Sequence, residues 1–134
     1  MNGKKTYEIP LERTVKVTQQ DIDDIMVAAL EGGIDYWGGE AEVIEDKRVA
    51  DWGHEQIARG GVLILHDAES NDKWELTLEK FLNGVKLWIQ NGDDQYHALQ
   101  KDGTIDCCEI DGEMAEMIVQ YAIFGEIIFG GLEK

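Results

Sequence analysis

The chain has 134 residues and carries 28 acidic side chains against 12 basic ones, a formal charge of −16. A chain this long buries about two thirds of the surface its unfolded form exposes, and 43% hydrophobic residues supply one core without disulfide staples. The charge argues against unassisted nucleic-acid binding, which rests on Lys and Arg neutralising phosphates, and against an anionic membrane surface.

The whole of 1–134 reads as one domain, with 1–12 expected to be flexible. Thr14 to Val17 alternate, and Arg13 to Val17 is the first predicted strand. Thr18 and Asp21 have the spacing of a capping box. Ile22, Ile25, Met26, Ala29 and Leu30 then recur at helical spacing, predicting a helix from Gln19 to Glu31 that stops at Gly32 and Gly33. Ile34 to Glu45 reads as a strand interrupted at Gly38 and Gly39, the mark of a bulge or a close backbone approach. A short helix is expected from Val49 to Arg59, closed by Gly60 and Gly61. Val62 to His66 and Lys73 to Thr77 are expected to pair antiparallel across the polar connection Asp67 to Asp72.

Leu78, Phe81, Leu82, Val85, Trp88 and Ile89 trace one apolar stripe, the firmest helical pattern in the chain, ending near Gly92. Asp93 to Gln100 suggests a short helical turn, and Lys101 to Gly103 a chain reversal. Asp111 is the expected N-cap of a last helix carrying Met114, Met117, Ile118, Tyr121 and Ala122 on one face. Ile123 to Gly130 fits a continued helix or a final strand, and Gly125 weakens both. The fold class that follows is α+β, a small mixed or antiparallel sheet against three to four helices. The apolar end, Tyr121 to Phe129, is a candidate homo-oligomer contact, with two-fold symmetry the default.

No run approaches the ~20 apolar residues of a membrane span, and the opening MNGKKTYEIP lacks the apolar stretch of a secretory signal. The neighbours Cys107 and Cys108 cannot staple distant segments and suit a reducing compartment, so the cytoplasm is the expected location. His54, His66 and His97 fall on different elements, and neither a zinc spacing nor an EF-hand loop is present, so no metal or other cofactor is expected. The single serine, Ser70, lies in no nucleophile motif. Glu40 and Glu42 share a strand face and can raise each other's pKa, as acid–base catalysis needs, but a solvated face explains them as well.

Arginine is scarce in so acidic a chain. Arg59 precedes Gly60 and Gly61, whose unhindered backbone N–H groups can join a guanidinium in holding a phosphate or carboxylate. The alternative has Arg59 satisfying carbonyls at its helix end and pairing with a nearby carboxylate. Tyr36 and Trp37 stand beside two glycines, and Trp52 lies between the two glycine-bearing segments. If the fold joins them, Tyr36, Trp37, Trp52, Arg59, Gly60 and Gly61 line a pocket for a base, ribose and phosphate. If it does not, Trp37 and Trp52 are core residues, as Trp74 and Trp88 are expected to be.

The stretches DIDDIMVAALEGGIDYWGGEAEV, HEQIARGGVLIL, WELTLEKFLNGVKLWIQNGD and MAEMIVQYAIFGEIIFG resemble a family of small acidic proteins of phages and conjugative elements of Firmicutes, one without an assigned activity. The resemblance spans about residues 15 to 130. Members often carry a cysteine after the Tyr-Trp pair; Gly38 stands there in this chain, which argues against thiol chemistry at that position. The resemblance implies a non-enzymatic mobile-element protein that antagonises host defence. One form would sequester a nucleotide immune signal, such as a cyclic ADP-ribose relative or a cyclic dinucleotide. The other would mimic DNA with its carboxylates and inhibit a basic nucleic-acid-binding host enzyme such as a CRISPR effector. The glycine pairs, aromatics and Arg59 favour the first, which is the expected function; the charge of −16 favours the second, which is the alternative.

Overall fold

The computed structural model describes residues 6–10, 14–94 and 96–129. The fold is α+β, two small antiparallel sheets with helices packed on them. Part of the stretch expected to be flexible is a strand, β1 (Thr6–Pro10), paired with β2 (Thr14–Thr18) so that Tyr7 faces Val17 and Ile9 faces Val15. The remainder of 1–12 lies outside the described residues. Val15 and Val17 point into the core while Thr14 and Lys16 face out, the alternation of a half-buried strand.

Thr18 ends β2 and caps α1 (Gln19–Ala28) in the same step. Its hydroxyl accepts from the Asp21 N–H at 3.0 Å, and the Asp21 carboxylate accepts from the Thr18 N–H at 3.0 Å, the reciprocal box the spacing predicted. The helix then widens into one π turn over Ala29–Gly33, closed by Ile34 N–H donating to the Ala29 carbonyl at 3.0 Å. The strand expected from Ile34 is shorter than its composition suggested. Ile34 to Trp37 turn, and β3 is Gly38–Val43, with a register break between Gly38 and Ala41 where a bulge was expected.

The helix expected over Val49 to Arg59 does not form. Two single 3-10 turns, Gly53–Glu55 and Ile57–Arg59, stand in its place, because Trp52 is extended and the Gln56 amide bonds backbone groups that a helix would have to use itself. β4 (Leu63–Asp67) and β5 (Lys73–Leu76) form the expected hairpin, Leu63 opposite Leu76 and Leu65 opposite Trp74, and β3 adds to its other edge.

α2 (Leu78–Gln90) starts at the Thr77 cap and buries Phe81, Val85 and Trp88; the Trp88 indole N–H is buried without a partner among the described residues. α3 (Gly112–Phe124) starts at Asp111, whose carboxylate accepts from the Met114 N–H at 2.9 Å, and ends at Gly125. The two helices touch at Gly84, where a Cβ would lie 2.6 Å from the Ile118 carbonyl oxygen, so only glycine lets the backbones meet there. Between them, the described residues of 93–100 are irregular rather than helical: the Asp94 carboxylate accepts from the N–H groups of Ala98 and Leu99 at 2.7 and 3.0 Å. Among the described residues no helix is long and apolar enough to cross a membrane.

Beyond Gly125 the tail is neither helix nor strand. It folds back as a strap, its Ile128 and Phe129 N–H groups donating to the Gln120 side-chain oxygen at 2.9 and 2.8 Å. The Phe129 ring stacks on Trp37, with centroids 5.1 Å apart and planes 5° from parallel, and Trp74 and Phe124 complete a four-ring cluster. Both phenylalanines of the candidate oligomer contact thus pack within the chain, leaving Ile128 half-exposed.

Candidate functional site

The segment from Glu45 to Gly61 carries four of the six predicted site residues, and side chains rather than regular structure hold it. Arg48 grips Glu45 with two N–H groups, at 3.0 and 2.7 Å, and donates a third to the carbonyls of Ala50 and Asp51 at 3.2 and 3.0 Å. The pairing holds the exposed Glu45 carboxyl below the usual carboxylate range. Gln56 is fully buried. Its oxygen accepts from the Val49 N–H at 3.0 Å, and its nitrogen donates to the carbonyls of Ala50 and Trp52 at 2.8 and 2.9 Å. Three backbone groups of an irregular loop are satisfied by one amide, which fixes the loop without a helix.

The loop presents Trp52 to solvent. Its side chain is 65% exposed, so it is not a core residue. Large aromatics on monomer surfaces are uncommon, and one held on an ordered loop loses little entropy on docking. In the same loop the carboxylates of Glu45, Asp46 and Asp51 are exposed, as is Lys47.

Arg59 does not project into the loop's cavity as a free cation. Two of its nitrogens donate to the two oxygens of Asp23 on α1 at 2.9 and 3.1 Å, and one of these also donates to the Glu55 carbonyl at 2.9 Å. The hydrogen bond to Asp23 raises the guanidinium's affinity for its proton against the opposing effect of burial. Gly60 closes the 3-10 turn at φ +87°, and Gly61 donates its N–H to the Gln56 carbonyl at 2.8 Å instead of facing a ligand. The cavity beside them, about 540 Å³, is lined by Gln19, Val49, Ala50, Asp51, Glu55 and Arg59, so its charge balance is anionic.

Tyr36 and Trp37 lie elsewhere. Trp37 is 2% exposed, and its indole N–H donates to Glu116 at 3.0 Å. Tyr36 is half-exposed, and its hydroxyl donates to the Phe129 carbonyl at 2.8 Å. The single pocket that would join all six residues is therefore not assembled: Tyr36 and Trp37 share a cavity with Phe129, while Arg59 lines another. Of the groups that organise both places, Gln56, Glu116 and Gln120 went unnoticed in the sequence, and Asp23 stood out only as one of many paired carboxylates. All four are buried polar residues, the ones found among the described residues, and the signal available was a polar residue interrupting an apolar stripe.

Of the two cysteines, Cys108 is exposed and Cys107 is the more enclosed. The Cys107 thiol donates toward the Asp21 carbonyl and carboxylate at 3.6 and 3.5 Å, and burial followed by the Asp21 charge pushes it well above the ordinary thiol range. Glu42 meets His66 at 3.0 Å across β3 and β4, both partly exposed. Among the described residues no three His, Cys, Asp or Glu side chains group to hold a metal ion.

No family model, curated protein or solved structure matches this chain.

Proposed function

We propose that this protein is a non-enzymatic binding protein that docks on a basic, nucleic-acid-handling partner, with Trp52 as its aromatic anchor and carboxylates in the place of nucleic-acid phosphates. The observation that carries this reading is the fate of the arginines. Arg48 and Arg59 both spend their charge on carboxylates of the same chain, so neither arginine of the Trp52 loop is free to hold a phosphate, and its exposed Lys47 is outnumbered by the exposed carboxylates of Glu45, Asp46 and Asp51. A net charge of −16 steers such a surface onto a positive one, and Trp is among the residues that most often dominate interface energetics. In the setting that the family resemblance implies, the partner is a host defence enzyme inhibited by an element's accessory protein.

Sequestration of a nucleotide would need Arg59 released from Asp23 and a stacking ring beside it; Trp37 is instead committed to Phe129 and Glu116. No observation favours that reading over docking.

The test is affinity capture from a bacterial lysate with the native chain and with Trp52→Ala, followed by elution with rising salt or with duplex DNA. The expected catch is a basic nucleic-acid-binding protein, released by either eluant and reduced with Trp52→Ala. A partner held equally by both chains and indifferent to DNA overturns the reading.

A further inference from the structure

We propose that the strap after α3 exchanges between two copies of this chain, the Phe129 ring of each seating on Trp37 of the other and joining the copies as a two-fold dimer. The inference is independent of the docking reading, since it uses no residue of the Trp52 loop.

The receiving slot is fitted to this one segment. Trp37 lies 5.1 Å from the Phe129 ring and 5° from parallel, while Trp74 and Phe124 meet that ring at steep angles, 6.1 and 5.8 Å away. The polar frame is matched as closely. Gln120, 0% exposed, accepts from the Ile128 and Phe129 N–H groups and donates to the Phe129 carbonyl at 2.8 Å, and the Tyr36 hydroxyl donates to the same carbonyl at 2.8 Å. A slot that specifies both the ring and the backbone groups of one segment accepts the same segment of a second copy with the same contacts. Exchange of an identical element is for that reason a low-cost route to a dimer.

The way the strap is held lets it leave. Among the described residues no backbone group of 126–129 bonds to another backbone group, so its hydrogen bonds all run to side chains, and a segment outside regular structure belongs to the part of a fold that opens first. Gly125 is the hinge. Its φ is +77°, and a Cβ there would meet nothing within 4 Å, so the left-handed turn and not crowding calls for glycine. Moving that residue into the right-handed region continues α3 and swings the strap away from its own slot. The five residues from Gly125 to Phe129 then reach up to ~17 Å, enough to cross to a neighbouring copy. Ile128, 49% exposed in the closed chain, is the apolar surface covered where two straps cross.

Charge fixes the sign of the salt response. Copies of −16 repel each other, and added salt screens the repulsion, so exchange is promoted by salt whereas a complex with a basic partner is released by it.

The experiment is light scattering on the full chain over a range of concentrations at low and high salt, with Gly125→Ala and Phe129→Ala alongside. Isotope-filtered NOEs are then recorded on ¹³C-labelled and unlabelled chains unfolded together and refolded. The dimer fraction is expected to rise with concentration and with salt. Gly125→Ala should raise the association constant about tenfold, because only the closed form needs the left-handed turn. Phe129→Ala should abolish the dimer, and in the mixed sample NOEs should join Phe129 of one copy to Trp37 of the other. The NOE measurement needs no variant, so it decides the matter even if Phe129→Ala perturbs the fold. A monomer under every condition with Gly125→Ala included, a dimer that dissociates as salt is added, a dimer that keeps its strength in a folded Phe129→Ala chain, or a dimer whose Phe129–Trp37 NOEs stay within one chain overturns the proposal.

Discussion

The Arg59 guanidinium holds both carboxylate oxygens of Asp23, at 2.9 and 3.1 Å, and so fastens the Trp52 loop to α1. The pair is largely shielded, with side-chain exposures of 25% and 11%. Removing one member of a shielded pair leaves the other's charge uncompensated. Asp23→Ala is therefore expected to cost about 2–4 kcal/mol in urea denaturation. Asp23→Ala with Arg59→Ala should cost less than the sum of the two single changes, because the second removes the charge stranded by the first. Additive losses would show that the two side chains do not depend on each other.

Trp52 bears little on the fold and much on docking. Trp52→Ala should change stability by no more than about 0.5 kcal/mol, as exposed substitutions do, while weakening partner binding by about 2 kcal/mol or more. Acrylamide quenching checks the premise independently. One of the four tryptophans should be readily quenched, and that component should vanish in the variant.

Gln120 ties the strap to α3 through the Ile128 and Phe129 N–H groups and the Phe129 carbonyl. Gln120→Ala should leave the two N–H groups without partners while the Phe129 carbonyl keeps the Tyr36 hydroxyl, cost about 1–3 kcal/mol, and release residues 126–129 before the rest of the chain. Hydrogen exchange would register this as faster exchange at Ile128 and Phe129 with the protection of α2 unchanged.

Glu116 gives the chain a signed pH dependence. Its folded carboxyl is raised by burial, so the folded state keeps that proton after the unfolded state has lost it. The associated stability is present at low pH and is lost as pH rises from the ordinary glutamate range through the raised value. Glu116→Gln should remove this decline from a series of denaturation curves across acid and neutral pH. Tyr36 and Tyr121, both raised chiefly by burial, act in the same direction at alkaline pH, so stability should fall again above the ordinary tyrosine value of 10.0.

Local signals located most of the elements. The Thr18–Asp21 box, the apolar stripe of α2 and the Asp111 cap concern residues a few positions apart, and α1, α2 and α3 start where these residues place them. The Val49 to Arg59 helix failed because Gln56 reaches backward to three backbone groups, a choice that helical spacing does not encode. The tail escaped assignment for a similar reason. Its order comes from Gln120 and from the ring of Trp37, far earlier in the chain. The candidate site was legible as a set of unusual residues and illegible as an arrangement. That Arg59 would find Asp23, and Trp37 would find Glu116, depends on contacts between segments 36 and 79 positions apart.

The most direct test of the account sets phosphate against guanidinium on the same protein. Melting temperature would be measured with ADP-ribose isomers and cyclic dinucleotides, and in parallel with a blocked tetra-arginine peptide standing in for the basic partner, since a ligand that binds the folded state alone raises it. The account predicts a saturable rise with the peptide, suppressed by salt, and none with the nucleotides. A saturable rise with a nucleotide that is recovered unaltered, and no rise with the peptide, would contradict it.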